Sequence, residues 1–192
     1  IFVDDNSNDG TYELFIELKK KFNNIDLIVR NLDSKDLSKS CILGFEKAKH
    51  ENILVMDGDF QHDPIYIKAL VEKYKNHKCD VVVGTRNLIT QKNEGIGFIR
   101  KLASQFLIII IDIFLGKKTS DPMSGFFIFR KKIFDENKKK LYGKGYKILA
   151  DLIYTNKSEI KILDVDIKFK RRVDGESKMN YKVLFYLVIF II

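Results

Sequence analysis

Along the first half of this chain, short apolar runs rich in β-branched residues alternate with longer segments of helical period. "IFV" (1–3) leads to "YELFIELKKKF" (12–22), "IDLIVR" (25–30), "SKSCILGFEKAK" (38–49), "NILVMD" (52–57), "PIYIKALVEKYK" (64–75) and "DVVVGT" (80–85). Strand and helix in alternation predict an α/β domain with a mostly parallel, Rossmann-like sheet flanked by helices. "IGFIRKLASQFLIIIIDIFLG" (96–116) is then apolar nearly all round after Phe106, the pattern of a helix buried in protein or lying against lipid. "GFFIFRKKIF" (125–134) reads as a strand running into a helix, "GYKILADLIYT" (145–155) as a helix and "IKILDVDIKFKRR" (160–172) as a strand. "VLFYLVIFII" (183–192) is apolar throughout. As a helix it measures roughly 15 Å, about half of a ~30 Å hydrocarbon core, so it is either the start of a membrane span or a core helix. No repeat or linker divides the chain, and the expectation is one domain over 1–182 with a membrane-associated helix beginning at 183.

Composition narrows the class. At 192 residues and 45% hydrophobic, the chain can bury one sizeable core. A formal net charge of +8 points to anionic partners: phosphates, acidic lipid or nucleic acid. The basic residues are not interleaved with a stacking platform, so no nucleic-acid partner is expected. Cys41 and Cys79 lie far apart without metal-ligand spacing, as expected of core thiols in a reducing compartment. A strand begins at Ile1, with neither Met nor a signal segment before it, and upstream sequence is therefore expected to be missing.

Two of the strands end in carboxylates. In "VDDNSNDGT" (3–11), Asp4 and Asp5 directly follow the apolar run. Turn chemistry accounts for Asn6 to Thr11, and Asp9 or Thr11 suits the cap of the next helix. It does not account for adjacent carboxylates at the C-terminal end of a strand, where open α/β sheets face their ligands. "ILVMDGDFQHDP" (53–64) repeats the pattern. Side chains alternate along a strand, so Asp57 and Asp59 share one side, while Gly58 lets a ligand approach the backbone. Oxygen ligands at these positions, with Gln61 two further on, suit Mg²⁺ or Mn²⁺ held together with a substrate diphosphate. The competing account is a plain strand-to-helix turn, with Asp63-Pro64 opening the next helix. His62, a lone histidine beside that turn, is read as a packing or surface residue.

"VDDNSNDGT", "VMDGDFQHDP", "VVVGTRN", "SDPMSGFFIFR", "GYKIL" and "RRVDGESK" occur in the order and approximate spacing found in dolichol-phosphate mannose synthases and related polyprenyl-phosphate glycosyltransferases. The chain thus resembles the inverting family 2 glycosyltransferases of GT-A fold over nearly its whole length. "DPMSGFF" with "R-x-x-G-x-S-K" is specific to the polyprenyl-phosphate branch, and the absence of tryptophan disfavours the processive synthases with their Gln-x-x-Arg-Trp motif. The resemblance implies that Asp5 bonds the nucleotide base and Val3 lines its pocket. It implies that Asp57, Gly58 and Asp59 meet the donor, with Asp57, Asp59 and Gln61 on Mg²⁺ or Mn²⁺. Arg86, Arg172 and Lys178 would hold phosphates of donor and acceptor, and Arg100 and Ser104 match acceptor-phosphate positions. Asp121 and Asp151 fall at matched positions with orienting or structural roles.

The same resemblance implies inverting transfer of a hexose, mannose from GDP-mannose first, to a polyprenyl (dolichyl) phosphate at the cytoplasmic face of a membrane, with a small anchoring subunit as a further partner. Asp57, Asp59 and Arg86 would carry the catalysis. The alternatives are a glucosyltransferase using UDP-glucose and a catalytically silent membrane-associated binding module. Two departures stand out. The family's first strand would precede Ile1, and Asp36, Ser38 and Ser40 occupy the places of a glycine-rich Gly-x-Gly-x-Ala pattern.

Overall fold

The computed structural model describes residues 1–31, 35–86, 105–106, 108–113, 116–156 and 159–170. Its elements run β1 (Phe2–Asp4), α1 (Thr11–Lys21), β2 (Leu27–Val29), α2 (Leu37–Lys47), β3 (Asn52–Val55), a 3₁₀ turn (Pro64–Tyr66), α3 (Ile67–Asn76), β4 (Val81–Arg86), β5 (Phe127–Arg130), α4 (Lys131–Asn137), α5 (Ile148–Thr155) and β6 (Ile162–Ile167). Every helix start has a local cause where the sequence offers one. Asp9 Oδ1 accepts from the Thr11 amide at 3.1 Å, and Gly10 takes the left-handed turn before α1 at φ 83°. Asp36 caps α2 through the Lys39 amide, and Asp63 with Pro64 opens the 3₁₀ turn.

The strands form two sheets. β1 and β2 pair in parallel, and the four-stranded sheet has the order β3-β5-β4-β6. β5 runs antiparallel to both of its neighbours, whereas β4 and β6 are parallel. The expected mostly parallel sheet is therefore mixed. β5 lies between β3 and β4, pairs antiparallel with both, and leads straight into α4. Because β3 and β4 are both antiparallel to β5, they run the same way, and their C-terminal ends at Asp57 and Arg86 lie at one end of the sheet.

Helices cover both faces of the four-stranded sheet, which is why β4 reads as a continuous apolar run rather than an alternating one. On one face Val81, Val83, Phe127 and Phe129 pack with Phe45 of α2, Phe134 of α4 and Leu149 and Leu152 of α5. Phe45 meets Phe129 edge to face at 4.9 Å between centroids. On the other face Val82, Phe126, Ile128 and Ile167 pack with Leu70 of α3. The two-stranded sheet is thinner, with Val3 set against Gly44 of α2 and Phe2 55% exposed. Among the described residues β1 pairs only with β2 and β3 only with β5, which leaves one edge of each without a strand.

Among the described residues no helix is long and apolar enough to cross a membrane. The segment 96–116 is helical at 105–106 and 108–113 where it is described. Arg100, Ser104, Arg172, Lys178 and the apolar stretch 183–192 lie outside the described residues.

Candidate active site

The two carboxylates after β1 have different jobs. Asp4 bonds its own turn, accepting from the Ser7 amide at 2.7 Å and the Ser7 hydroxyl at 2.5 Å. Asp5 points the other way and is gripped from α2 and β2. Its Oδ1 accepts from Arg30 Nη1 at 2.6 Å and from Ser40 Oγ at 2.5 Å, and its Oδ2 accepts from the Asp36 amide at 2.8 Å. Three of roughly four acceptor positions on the carboxylate are taken, so about one remains for a ligand. The Arg30 side chain is 5% exposed, and its Nη2 has no hydrogen-bond partner. The parallel register pairs Asp4 with Val29, which sets Arg30 beside Asp5 one step beyond the ladder.

Asp36 and Ser40, at the places where the resemblance implies a glycine-rich pattern, complete this grip. Asp36 Oδ2 also accepts from the Gly145 amide at 3.0 Å and so ties the loop before α5 to the Asp5 cluster. That loop is held from its other side by Asp151, whose carboxylate accepts from the Tyr142 amide at 3.0 Å and the Gly143 amide at 2.7 Å.

At the end of β3, Asp57 is one-third exposed, and Asp59 Oδ1 accepts from the Gln61 amide at 3.1 Å. A Cβ on Gly58 would meet no protein atom within 4 Å, so the space above it is open to a ligand. Phe60 sits between Asp59 and Gln61 at φ 59° and is 68% exposed. A bulky residue in the left-handed region costs about 1–2 kcal/mol, and strain of this kind concentrates at ligand-binding turns. Gln61 is buried and its side-chain nitrogen donates to the Lys170 carbonyl at 3.2 Å, leaving Oε1 as the atom able to act as a ligand.

Arg86 at the end of β4 faces this loop. Its Nε donates to Asp121 Oδ2 at 2.6 Å and its Nη2 to Asp121 Oδ1 at 2.8 Å, and the guanidinium lies 5.3 Å from the Phe169 ring centroid. Burial by itself would lower the arginine's pKa. The charge and hydrogen bonds of Asp121 outweigh it, with Asp57 adding to them, and Arg86 is held above the usual arginine value. The "SDPMSG" segment is thus a bracket. Asp121 aims Arg86, Ser124 Oγ donates to the Gly84 carbonyl at 2.6 Å, and Gly125 makes room for Asp57, whose carboxylate occupies the space a Cβ there would need.

The two acidic ends meet around α2. Burial, aided by the charges of the Asp57, Asp5 and Asp36 carboxylates, pushes the Cys41 thiol up to about 12. Among the described residues no three His, Cys, Asp or Glu side chains gather closely enough to cage a metal. Two carboxylates and one amide oxygen nonetheless fit Mg²⁺ or Mn²⁺, which take few protein oxygens and complete their shell with water and substrate phosphate. A groove of about 910 Å³ lies at the opposite end of the sheet beside Lys49, Asn52, Lys78 and Arg130, and holds none of these residues.

Of the expected site residues, Val3 and Asp5 stand at the β1 end, and Asp57, Gly58, Asp59, Gln61 and Arg86 stand together at the β3 and β4 ends. Arg30, Asp36, Ser40 and His62 were not expected there. Arg30 had a readable signal, a single cation closing the apolar run "LIVR" opposite "FVDD". His62 is only 3% exposed, lies between the rings of Phe126 and Phe169, and has Nδ1 3.8 Å from Asp57 Oδ2.

Known proteins resemble this chain in sequence and in fold. A dolichol-phosphate mannosyltransferase of Pyrococcus furiosus is 36% identical over 96% of this chain and 51% of its own length. Proteins of that name from Mycosarcoma maydis and Saccharomyces cerevisiae are 32% and 33% identical over 96% of this chain, and over 62% and 69% of their own lengths. The chain therefore spans about half to two-thirds of these relatives. Among solved structures, glucosyl-3-phosphoglycerate synthase of Mycobacterium tuberculosis with Mg²⁺ and uridine diphosphate aligns at a TM-score of 0.68 and 13% identity, covering 100% of this chain and 67% of that one. The complex of that enzyme with Mn²⁺, UDP-glucose and phosphoglyceric acid aligns at 0.66 and 14% identity, covering 98% and 64%. Those likenesses establish a GT-A-like α/β fold. Residues 1–137 match the family model described as glycosyl transferase family 2, and with carboxylate-ended strands and an arginine on one face of that fold, the chain belongs to this family.

Proposed function

We propose that the chain catalyses inverting transfer of a hexose, mannose from GDP-mannose, to a polyprenyl phosphate such as dolichyl phosphate at the cytoplasmic face of a membrane. The observation that carries this reading is the convergence of Asp57 and Asp59 with a locked Arg86 at the ends of β3 and β4, in a chain related along 96% of its length to dolichol-phosphate mannosyltransferases. Asp5 takes the base and Asp57, Gly58 and Asp59 the donor. Asp57, Asp59 and Gln61 would hold a divalent cation, which when bound neutralises charge on the departing diphosphate. Arg86 donates two of its five side-chain N–H groups to Asp121, and among the described residues the other three meet no acceptor, so they can serve phosphate oxygens. The acceptor phosphate is already an anionic nucleophile at neutral pH, so alignment and electrostatics do the work that a general base does for a hydroxyl acceptor. Arg100, Ser104, Arg172 and Lys178 are assigned to the phosphates by family position alone.

Membrane contact is part of the proposal. Phe106, Ile109 and Ile113 recur at helical spacing and are 61%, 54% and 72% exposed, whereas Ile111 is fully buried. One outward apolar face of this kind suits the lipid boundary. The test is transfer of labelled sugar from GDP-mannose, and separately from UDP-glucose, to a polyprenyl phosphate in liposomes, with Mn²⁺ and with chelator. Chelator-sensitive mannose transfer is expected. Transfer from UDP-glucose alone would reassign the donor, and failure with both by folded protein would overturn the reading.

A further inference from the structure

His62 is not explained by packing. It lies in the loop that carries Asp57, Asp59 and Gln61, is 3% exposed, and is clamped between Phe126 at 5.4 Å and Phe169 at 5.2 Å. Its backbone is fixed as well, through an isolated antiparallel bridge to Phe169 and flanking bonds between Gln61 and Lys170. A core built for ring contacts alone would take phenylalanine there at no cost in hydrogen bonds. Instead, Nδ1 is buried and has no hydrogen-bond partner, a costly state for a polar atom. Asp57 Oδ2 lies 3.8 Å away, about 1 Å beyond hydrogen-bond length. The imidazole cannot move toward it, because rings and backbone hold it. The Asp57 side chain is one-third exposed, and its carboxylate fills the space a Cβ on Gly125 would need.

We propose that His62 is the positioning residue of Asp57, and that its Nδ1–H donates to the Asp57 carboxylate once the nucleotide diphosphate is bound. The inference rests on the donor reading above and adds a residue to it. His62 touches neither metal nor donor. It turns Asp57 so that one oxygen faces the ligand while the other is held, the arrangement by which outer residues orient ligating carboxylates.

The test is calorimetric titration of the full chain with GDP and with UDP in the presence of Mn²⁺, for wild type, His62→Phe, His62→Asn and His62→Gln, with thermal unfolding of each. His62→Phe keeps the ring contacts and removes the nitrogen. Its affinity is expected to fall about 10- to 100-fold, the usual cost of losing such a partner, while the unfolding temperature holds. Asn places an amide nitrogen where Nδ1 stands and recovers most of the loss, whereas Gln, which mimics Nε2, does not. Addition of Mn²⁺-free Mg²⁺ and GDP should also move the ¹⁵N resonance of Nδ1 toward a protonated, hydrogen-bonded nitrogen. His62→Phe binding as tightly as wild type would overturn the proposal. If His62→Phe does not fold, equal affinities of the Asn and Gln variants overturn it instead. Wild type binding neither nucleotide would refute the donor reading, and the proposal with it.

Discussion

Replacing Asp121 by Asn is the most direct test of how Arg86 is held. Asp121 is fully buried, and its two oxygens meet Arg86 Nε at 2.6 Å and Nη2 at 2.8 Å. At an effective dielectric of about 20, unit charges about 3 Å apart attract by about 5.5 kcal/mol. Asn keeps one acceptor, worth about 1 kcal/mol, and turns an N–H toward the guanidinium, leaving a buried cation without its counter-charge. The expected loss is about 3–5 kcal/mol of unfolding free energy, a large share of the roughly 5–15 kcal/mol a domain possesses. Urea unfolding of wild type, Asp121→Asn, Arg86→Met and the double variant measures it. Removing both charges removes the orphan, so the double variant should lose clearly less than the sum of the singles. A single variant within about 1 kcal/mol of wild type, or strictly additive losses, would refute the view that this pair is a buried, mutually dependent unit.

Gly125→Ala should weaken nucleotide binding in the presence of Mn²⁺ by about tenfold or more at a stability cost of about 1–3 kcal/mol, because the new methyl displaces the Asp57 carboxylate. Unaltered calorimetric affinity would show that Asp57 does not need that space. Phe129→Ala empties a fully buried site against Phe45 and Phe127 and should cost about 3–5 kcal/mol by urea unfolding. Burial pulls the Lys147 ammonium down to about 8 from 10.5, with Asp151 opposing the fall. Between those values the unfolded chain retains a proton that the folded chain has released, so stability rises with pH across that window and the contribution is flat below it. Urea midpoints of wild type should gain on those of Lys147→Met as pH climbs from 8 toward 10.5, and parallel profiles would refute the assignment.

Local features were legible and partnerships were not. The runs "NILV", "VVVGTR" and "FIFR" became β3, β4 and β5 because apolar, β-branched stretches bounded by turn residues have few alternatives. Asp5, Asp57 and Asp59 stood out because carboxylates directly after such runs are rarely needed for folding. The direction of β5 was hidden, since an apolar run of four residues fits either orientation and only its neighbours decide. Asp121 shows the same limit. Its motif was visible, but that it aims Arg86 from 35 positions away follows from two loops meeting above β4. His62 read as bland because a single histidine acquires meaning only from what surrounds it. Asp36 and Ser40 looked like losses from a glycine-rich loop, and in three dimensions they supply bonds that glycine and alanine could not.

The division of the strands into two sheets has a consequence for how this molecule responds to its ligand. In the proposed donor mode the base would stand on β1 and the diphosphate on β3 and β4, and among the described residues α2 lies against both ends. A nucleotide-sugar that touches Asp5 at one end and Asp57 at the other acts as a cross-brace between two partly independent plates. Its binding energy then appears as resistance to the plates separating, about 2.7 kcal/mol when the free nucleotide is at 100 times its dissociation constant. Occupancy becomes a structural member of the domain, so the protein should be hardest to unfold when its donor is abundant.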